Sequence, residues 1–239
     1  MLCKIADLTV DVPAAGGLAP RCAEYLHNGN DQADIVICPE AYRFEKYPEG
    51  TGEETVAYME SAYQFYKALI AYGGFYLHSS AVVLDGKAYL FSGPSRVGKS
   101  THTRLWQQVF GTGARVINDD KPALRRIDGV WYAYGTPWCG KDGININEKA
   151  PLAGVCFLKQ ASENRMRRLD PFEATRKLLG QTIYKLKTAD MLDTVLQTLD
   201  AFVKEIPVYE LENCPVPDAA RLSWETMRRG AKESAYETE

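Results

Sequence analysis

No stretch of this sequence reaches the roughly 18 uncharged apolar residues that a membrane-spanning helix needs. Its first ten residues, MLCKIADLTV, also lack the charged leader and apolar run of a secretory signal. A cytoplasmic protein without membrane contact is the expectation. Long basic runs are missing as well: 28 Lys and Arg stand against 31 Asp and Glu, for a formal charge of -3. Short pairs such as Arg125-Arg126 and Arg167-Arg168 read as solvated faces, so there is no electrostatic footprint for nucleic acid or anionic lipid. The six cysteines, Cys3, Cys22, Cys38, Cys139, Cys156 and Cys214, form no C-x-x-C pair, which argues against a zinc site or a compact disulfide framework. They read as reduced thiols, mostly small core residues. No repeat or low-complexity segment occurs. What remains is an ordinary globular composition, 46% hydrophobic and 25% charged over 239 residues, enough for one large domain or one domain with an annex.

The first 50 residues read as short strands, CKIADLTVDV and ADIVIC, separated by Gly, Pro and Asn-rich loops. From Gly52 to Tyr72 apolar residues recur at helical spacing behind an acidic first turn, and Gly73-Gly74 ends that helix. The change of pattern sets an N-terminal α+β region at 1–74 and a second unit at 75–239, unless the two form one continuous unit. Strands at LAGVCFL, RMRRLD and VYELE and helices at PFEATRKLLGQTIY, ADMLDTVLQTLDAFVKEI and DAARLSWETMRR read as support for that second unit.

SSAVVL and KAYLFS are β-prone runs joined by Asp85-Gly86, the pair favoured in a two-residue hairpin turn. Pairing Leu84 with Lys87 and stepping outward leaves His78 opposite Gly93. Gly93 opens G-x-x-x-x-G-K-S, the spacing of a phosphate-binding loop: Gly93, Pro94, Ser95, Arg96, Val97, Gly98, Lys99 and Ser100, followed by Thr101. Average residue usage would produce this pattern in a chain of such length about 1% of the time. Here an apolar strand precedes it, and Leu105, Trp106, Val109 and Phe110 mark one face of a helix after it, as the motif requires.

The strand ARVINDD then ends in Asp119-Asp120. Adjacent carboxylates repel unless a cation is near, so a metal and catalytic role is favoured over a simple turn. A second Asp-Gly hairpin, PALRRI and VWYAYG around Asp128-Gly129, brings Pro137 near Asp120, with prolines 122 and 137 marking the end of the ladder. It aims GTPWCGKDGININ at the same place. Lys141 is thus a candidate phosphate or substrate contact, or else a solvated loop lysine.

The ordered set of histidine, Asp-Gly hairpin, phosphate loop and paired aspartates, from about Leu77 to Leu158, resembles the catalytic domain of the HPr serine kinase/phosphorylase family, whose fold is related to the nucleotide core of phosphoenolpyruvate carboxykinase. The resemblance implies an α/β fold with a mixed sheet and a hairpin-entered phosphate loop, ATP and Mg²⁺ as cofactors, and the tendency of that family to form homo-oligomers. It implies His78 at the active site, Lys99 on the nucleotide phosphates, Ser100 and Asp120 on magnesium, and Asp119 as the base, oriented by His78 or sharing a proton with it. The reaction implied is phosphoryl transfer to a hydroxyl, a serine of a protein, peptide or small molecule. A nucleotide-binding regulatory module that has lost transfer, and a kinase tailoring a ribosomally made peptide, are the alternatives.

Two departures from the family pattern stand out. Its later glutamate, arginine and glycine signature is absent, and GTPWCGKDGININ stands in its place. Arg96 also replaces a usual glycine, tolerable only if its φ is negative or its guanidinium gains a contact with phosphate or an anionic substrate.

Overall fold

The computed structural model describes residues 1–14, 16–182 and 189–236. Strands β1 (Leu2–Ile5) and β2 (Leu8–Asp11) form an antiparallel hairpin, and β3 (Ile35–Val36) lies parallel to β2. The expected single strand CKIADLTVDV therefore folds back on itself. Its turn, Ala6-Asp7, has φ of 53° and 58°, the double left-handed geometry of a type I′ turn without the usual Asn or Gly. Asp7 is held by Tyr134 Oη at 2.7 Å and Lys149 Nζ at 2.6 Å, tertiary contacts that offset the strain.

Helix α1 (Glu53–Leu69) carries its acidic first turn as expected and is followed by one 3₁₀ turn ending at Gly73 (φ 68°). It buries Phe65 and Tyr66 against Trp138, with Phe65 stacked on the indole at 4.7 Å and Trp138 Nε1 donating to Ser61 Oγ at 3.0 Å. One apolar core joins Cys3, Val10 and Ile37 to Tyr134 and Trp138, and so draws on both sides of position 75.

Among the described residues the main sheet has nine strands. They are β4 (Gly74–Tyr76), β5 (Ser79–Leu84), β6 (Lys87–Ser92), β7 (Arg115–Asn118), β8 (Ala123–Ile127), β9 (Val130–Tyr134), β10 (Lys149–Gln160), β11 (Arg165–Arg168) and β12 (Val208–Asn213). Their path runs β4-β8-β9-β10-β6-β5-β7, with β12 joining β10 to β11. β10 is the long spine. Its first residues pair antiparallel with β9, and its later ones pair parallel with β6 and β12, so the fold is α/β with a mixed, curled sheet and a small extra sheet at the N-terminus.

Helices α2 (Lys99–Phe110) and α5 (Pro217–Tyr236) cover one face of this sheet, and α3 (Pro171–Leu179) and α4 (Ala189–Glu205) the other. Alternation along β5 and β6 explains the two cores. Val82, Leu84, Tyr89 and Phe91 pack toward Trp106 and Met227, while Ala81, Val83, Ala88 and Leu90 share a core with Leu178, Leu199 and Phe202. Helix α3 stops at Leu179, short of the expected Tyr184. Gly180 closes it by donating its N–H to Arg176, and Ile183 and Tyr184 lie outside the described residues.

His102, fully buried on α2, ties the first of these faces together. Its Nδ1 meets Asn213 Oδ1 at 3.1 Å, its Nε2 meets Ser223 Oγ at 3.1 Å, and Trp106 Nε1 donates to the same hydroxyl at 3.0 Å. Burial lowers the imidazole pKa from 6.5 to about 4, with Asn213 opposing. The unfolded chain therefore binds the extra proton between pH 6.5 and 4, and stability falls as pH drops through that window, by roughly 3 kcal/mol when complete. His102→Gln is expected to flatten urea-melt stability between pH 7 and 4. An unchanged slope would place the titrating group elsewhere.

Candidate active site

Strand β6 delivers the chain into the loop Gly93–Gly98, and α2 begins at Lys99. The hairpin pairs Leu84 with Lys87, Val82 with Tyr89 and Ser80 with Phe91, ending at Ser79 and Ser92, so His78 and Gly93 are the next residues out, as the register expected. β6 is antiparallel to β5 on one side and parallel to β10 on the other, which makes this strand-loop-helix unit an insertion of a hairpin into a mixed sheet. Gly93 has φ 141°, and a Cβ there would lie 3.0 Å from Val97 Cγ1 and 3.3 Å from Leu158 O.

Arg96 has φ 68°. The negative-φ option is thus removed, and an exposed, Cβ-bearing residue holds the left-handed position at a cost of about 1 kcal/mol. Its carbonyl accepts from Gln160 Nε2 at 3.3 Å, while its guanidinium forms no ion pair among the described residues.

Lys99 is 8% exposed and donates from Nζ to Gly93 O at 3.0 Å and Pro94 O at 3.3 Å. Burial holds its pKa below the ordinary lysine value, opposed by Asp120. The ammonium rests on the loop's own carbonyls with no acid bonded to it among the described residues, a charge able to turn toward an incoming phosphate.

Asn118, fully buried at the end of β7, shapes the paired aspartates. Its Oδ1 accepts from the N–H of Asp120 at 2.9 Å and of Lys121 at 2.7 Å, and its Nδ2 donates to Thr136 O at 3.1 Å and Trp138 O at 3.2 Å. This Asx-type turn points the two carboxylates in different directions. Asp119 goes to the Cys139-Gly140 peptide, where Oδ1 accepts from Gly140 N–H at 2.6 Å. A Cβ at position 140 would lie 2.7 Å from Oδ2, so glycine is needed for this approach. Asp120 goes to His78, with Oδ1 3.2 Å from Nε2, and to the Lys121 ammonium through Oδ2.

The environments of the pair are opposed. Burial first, then the neighbouring Asp120, push Asp119 above the usual carboxylate range despite the Gly140 N–H. Asp120 is also raised by burial, but the hydrogen bond from His78 and the Lys121 charge outweigh this and bring it down to about 2. The expected His78–Asp119 partnership is corrected here: the imidazole holds Asp120, and its other nitrogen, Nδ1, meets Gln181 Oε1 at 3.1 Å.

A cleft of about 860 Å³ brings together His78, Ser95, Arg96, Gly98, Lys99, Ser100, Thr101, Asp119, Asp120 and Lys141. Gly93, Pro94 and Val97 shape the loop behind it. The second hairpin pairs Ile127 with Val130 through Ala123 with Tyr134, stops before the two prolines as expected, and delivers Cys139–Asp142 to the same cleft. The N-terminal region and α1 supply a wall that sequence reasoning missed: Arg21 and Tyr58 line the cleft, as does Lys121. Arg21 lies 118 positions before the Cys139 that it touches, so no local pattern announces it.

No protein-family profile matches the chain. It is 29% identical over 145 residues to an sn-glycerol-3-phosphate import ATP-binding protein of Jannaschia sp., a match covering 52% of this chain and 42% of that protein. The chain thus spans less than half the length of that relative. Among solved structures, the HPr(Ser) kinase/phosphatase of Coxiella burnetii is similar with a TM-score of 0.39 and 12% identity, over 68% of this chain and 94% of that one.

Proposed function

We propose that the chain is an ATP- and Mg²⁺-dependent kinase of the HPr serine kinase type that transfers a phosphoryl group to a hydroxyl, that of a serine in a protein, a peptide or a small molecule. The observation that carries this reading is the convergence in one cleft of Lys99 and Ser100 at a phosphate-loop helix with the paired carboxylates Asp119 and Asp120. The similarity to an ATP-binding protein supports the nucleotide part. The loop amides between Pro94 and Thr101 and the N-terminus of α2 suit a phosphate, and Lys99 adds a charge that is already desolvated.

The half-buried Ser100 hydroxyl and the Asp120 carboxylate are oxygen donors in the same cleft, a set that fits a hard cation. Magnesium held there supplies charge neutralisation of the phosphates. His78 and Lys121 hold the Asp120 carboxylate, one on each oxygen, and Lys121 balances its charge beforehand. Asp119, whose pKa burial raises, takes the proton of the acceptor hydroxyl as its oxygen bonds to the γ-phosphorus and the bond from phosphorus to the β,γ-bridging oxygen breaks. The proton then passes to solvent, and ADP leaves.

Lys99→Ala tests the phosphate-loop part. Its Mg-ATP affinity by calorimetry is expected to fall at least tenfold with the circular dichroism unchanged; unchanged affinity would remove the reading. Incubation with γ-labelled ATP and cell extract then identifies the labelled acceptor, and the absence of any labelled product would favour a regulatory module. Arg96→Gly separates contact from accident. Release of the left-handed strain is expected to hold or raise the melting temperature by about 2 °C, while transfer falls several-fold at unchanged ATP affinity. A faster variant would show that the guanidinium plays no part.

A further inference from the structure

Arg21 is a half-buried cation on the cleft wall, and it has no carboxylate within ion-pair distance among the described residues. The acids that share the cleft are otherwise placed. Asp142 pairs with Arg104 at 2.6 Å, Asp120 pairs with Lys121 and His78, Asp119 takes the Gly140 N–H, and Glu54 sits exposed in the first turn of α1. Leaving a partly desolvated guanidinium without a counter-ion is unfavourable unless a ligand supplies one.

Arg21 is also held in place. Its Nη1 donates to Cys139 O at 3.2 Å and lies 3.1 Å from Cys139 Sγ, and its Cζ lies 5.0 Å from the centroid of the Tyr58 ring. Tyr58 Oη donates to the same Cys139 oxygen at 2.6 Å, and burial keeps this phenol protonated. The next atoms along matter most. Cys139 C=O and Gly140 N–H belong to one peptide unit, and Asp119 Oδ1 accepts from that N–H at 2.6 Å. Arg21 and Asp119 are therefore fixed to the two ends of a single rigid plane, with Nη1 and Oδ1 at most about 8 Å apart. Lys121 Nζ, 5.5 Å from the same Tyr58 ring, adds a second positive charge nearby.

The donor phosphates already have Lys99 and the loop amides. The cation beside Asp119 stands at the end of the cleft where the acceptor hydroxyl loses its proton. Resting on the phosphoryl-transfer reading above, we infer that Arg21 is a specificity-determining residue for an acceptor that carries an anionic group, a carboxylate or a phosphate, two or three bonds from its hydroxyl. The Arg21 fork offers Nε and Nη2 to that anion, the geometry that suits two oxygens at once, while Asp119 receives the hydroxyl proton.

The test is equilibrium binding to the whole chain saturated with Mg²⁺ and the non-hydrolysable ATP analogue AMP-PNP. The probes are two matched pairs: 3-hydroxypropanoate with 3-hydroxypropanamide, and glycerol phosphate with glycerol. One anionic member is expected to bind at least tenfold more tightly than its neutral twin, and which pair discriminates tells carboxylate from phosphate. Arg21→Gln, which keeps a donor for Cys139 O and loses the charge, is expected to abolish the preference with AMP-PNP affinity within twofold of wild type, and Arg21→Lys to keep part of it. No preference in either pair, or a preference that survives Arg21→Gln, overturns the inference. Failure of AMP-PNP itself to bind, seen in the first titration, would instead bring down the phosphate-loop reading and this inference with it.

Discussion

Asp119→Asn is expected to lower phosphoryl transfer by roughly 100-fold or more and, at pH 7, to raise the melting temperature. The two effects share one cause. Asp119 is 8% exposed, and burial together with the adjacent Asp120 holds its folded pKa above that of the unfolded chain, so its ionised form disfavours folding at every pH above the folded value. Asparagine keeps an oxygen for the Gly140 N–H and removes the charge. The stability gain should vanish below pH about 3.9, where the carboxyl is neutral in both states. In the wild type, transfer should rise with pH through a value above the usual carboxylate range, because only the ionised base accepts a proton.

Asp120→Asn should do the opposite to stability. Its folded pKa of about 2 lies below the unfolded value, so its contribution is present above pH 3.9 and is lost as pH falls toward 2. Loss of the charge at neutral pH leaves His78 and Lys121 without their partner. If both variants shift melting in the same direction, the division between the two carboxylates is wrong.

Much of the scaffold around these residues could be read from the chain because its turns use residues with a physical signature. Asp85-Gly86 (φ 51° and 70°) and Asp128-Gly129 (φ 48° and 83°) both supply the paired left-handed conformations of a two-residue hairpin, and the registers counted outward from them agree with the structure. Ala6-Asp7 makes the same turn without the signature, stabilised by Tyr134 and Lys149, which are more than a hundred positions away. Strand β4 is three residues long, too short for periodicity to show.

The site divides in the same way. The phosphate loop is contiguous, so its residues were legible as a motif. The position of His78 followed from a register, but not its partner, since the choice between Asp119 and Asp120 depends on a side-chain turn made by Asn118. Arg21 and Tyr58 reach the cleft, and Gln181 reaches His78, through tertiary packing alone.

Asn118 accordingly carries the other large expected effect. Asn118→Ala should lower unfolding free energy by about 4 kcal/mol or more, because it leaves the N–H groups of Asp120 and Lys121 and the carbonyls of Thr136 and Trp138 without this partner, in a place with no exposed surface at the asparagine. Asn118→Asp should be nearly as harmful: it keeps both acceptor contacts, yet turns a second carboxylate oxygen toward the two carbonyls that Nδ2 now serves. In whatever fraction folds, the aspartates lose their divergence while the β6–α2 unit, built on a different hairpin, is untouched. Transfer should therefore fall far more than the affinity for ATP measured without magnesium. Urea unfolding and calorimetry on the same preparation measure both. A stability loss below 1 kcal/mol would mean that water enters and replaces the amide, and the turn that sets the two carboxylates apart would then have to be held by Thr136 and the backbone instead.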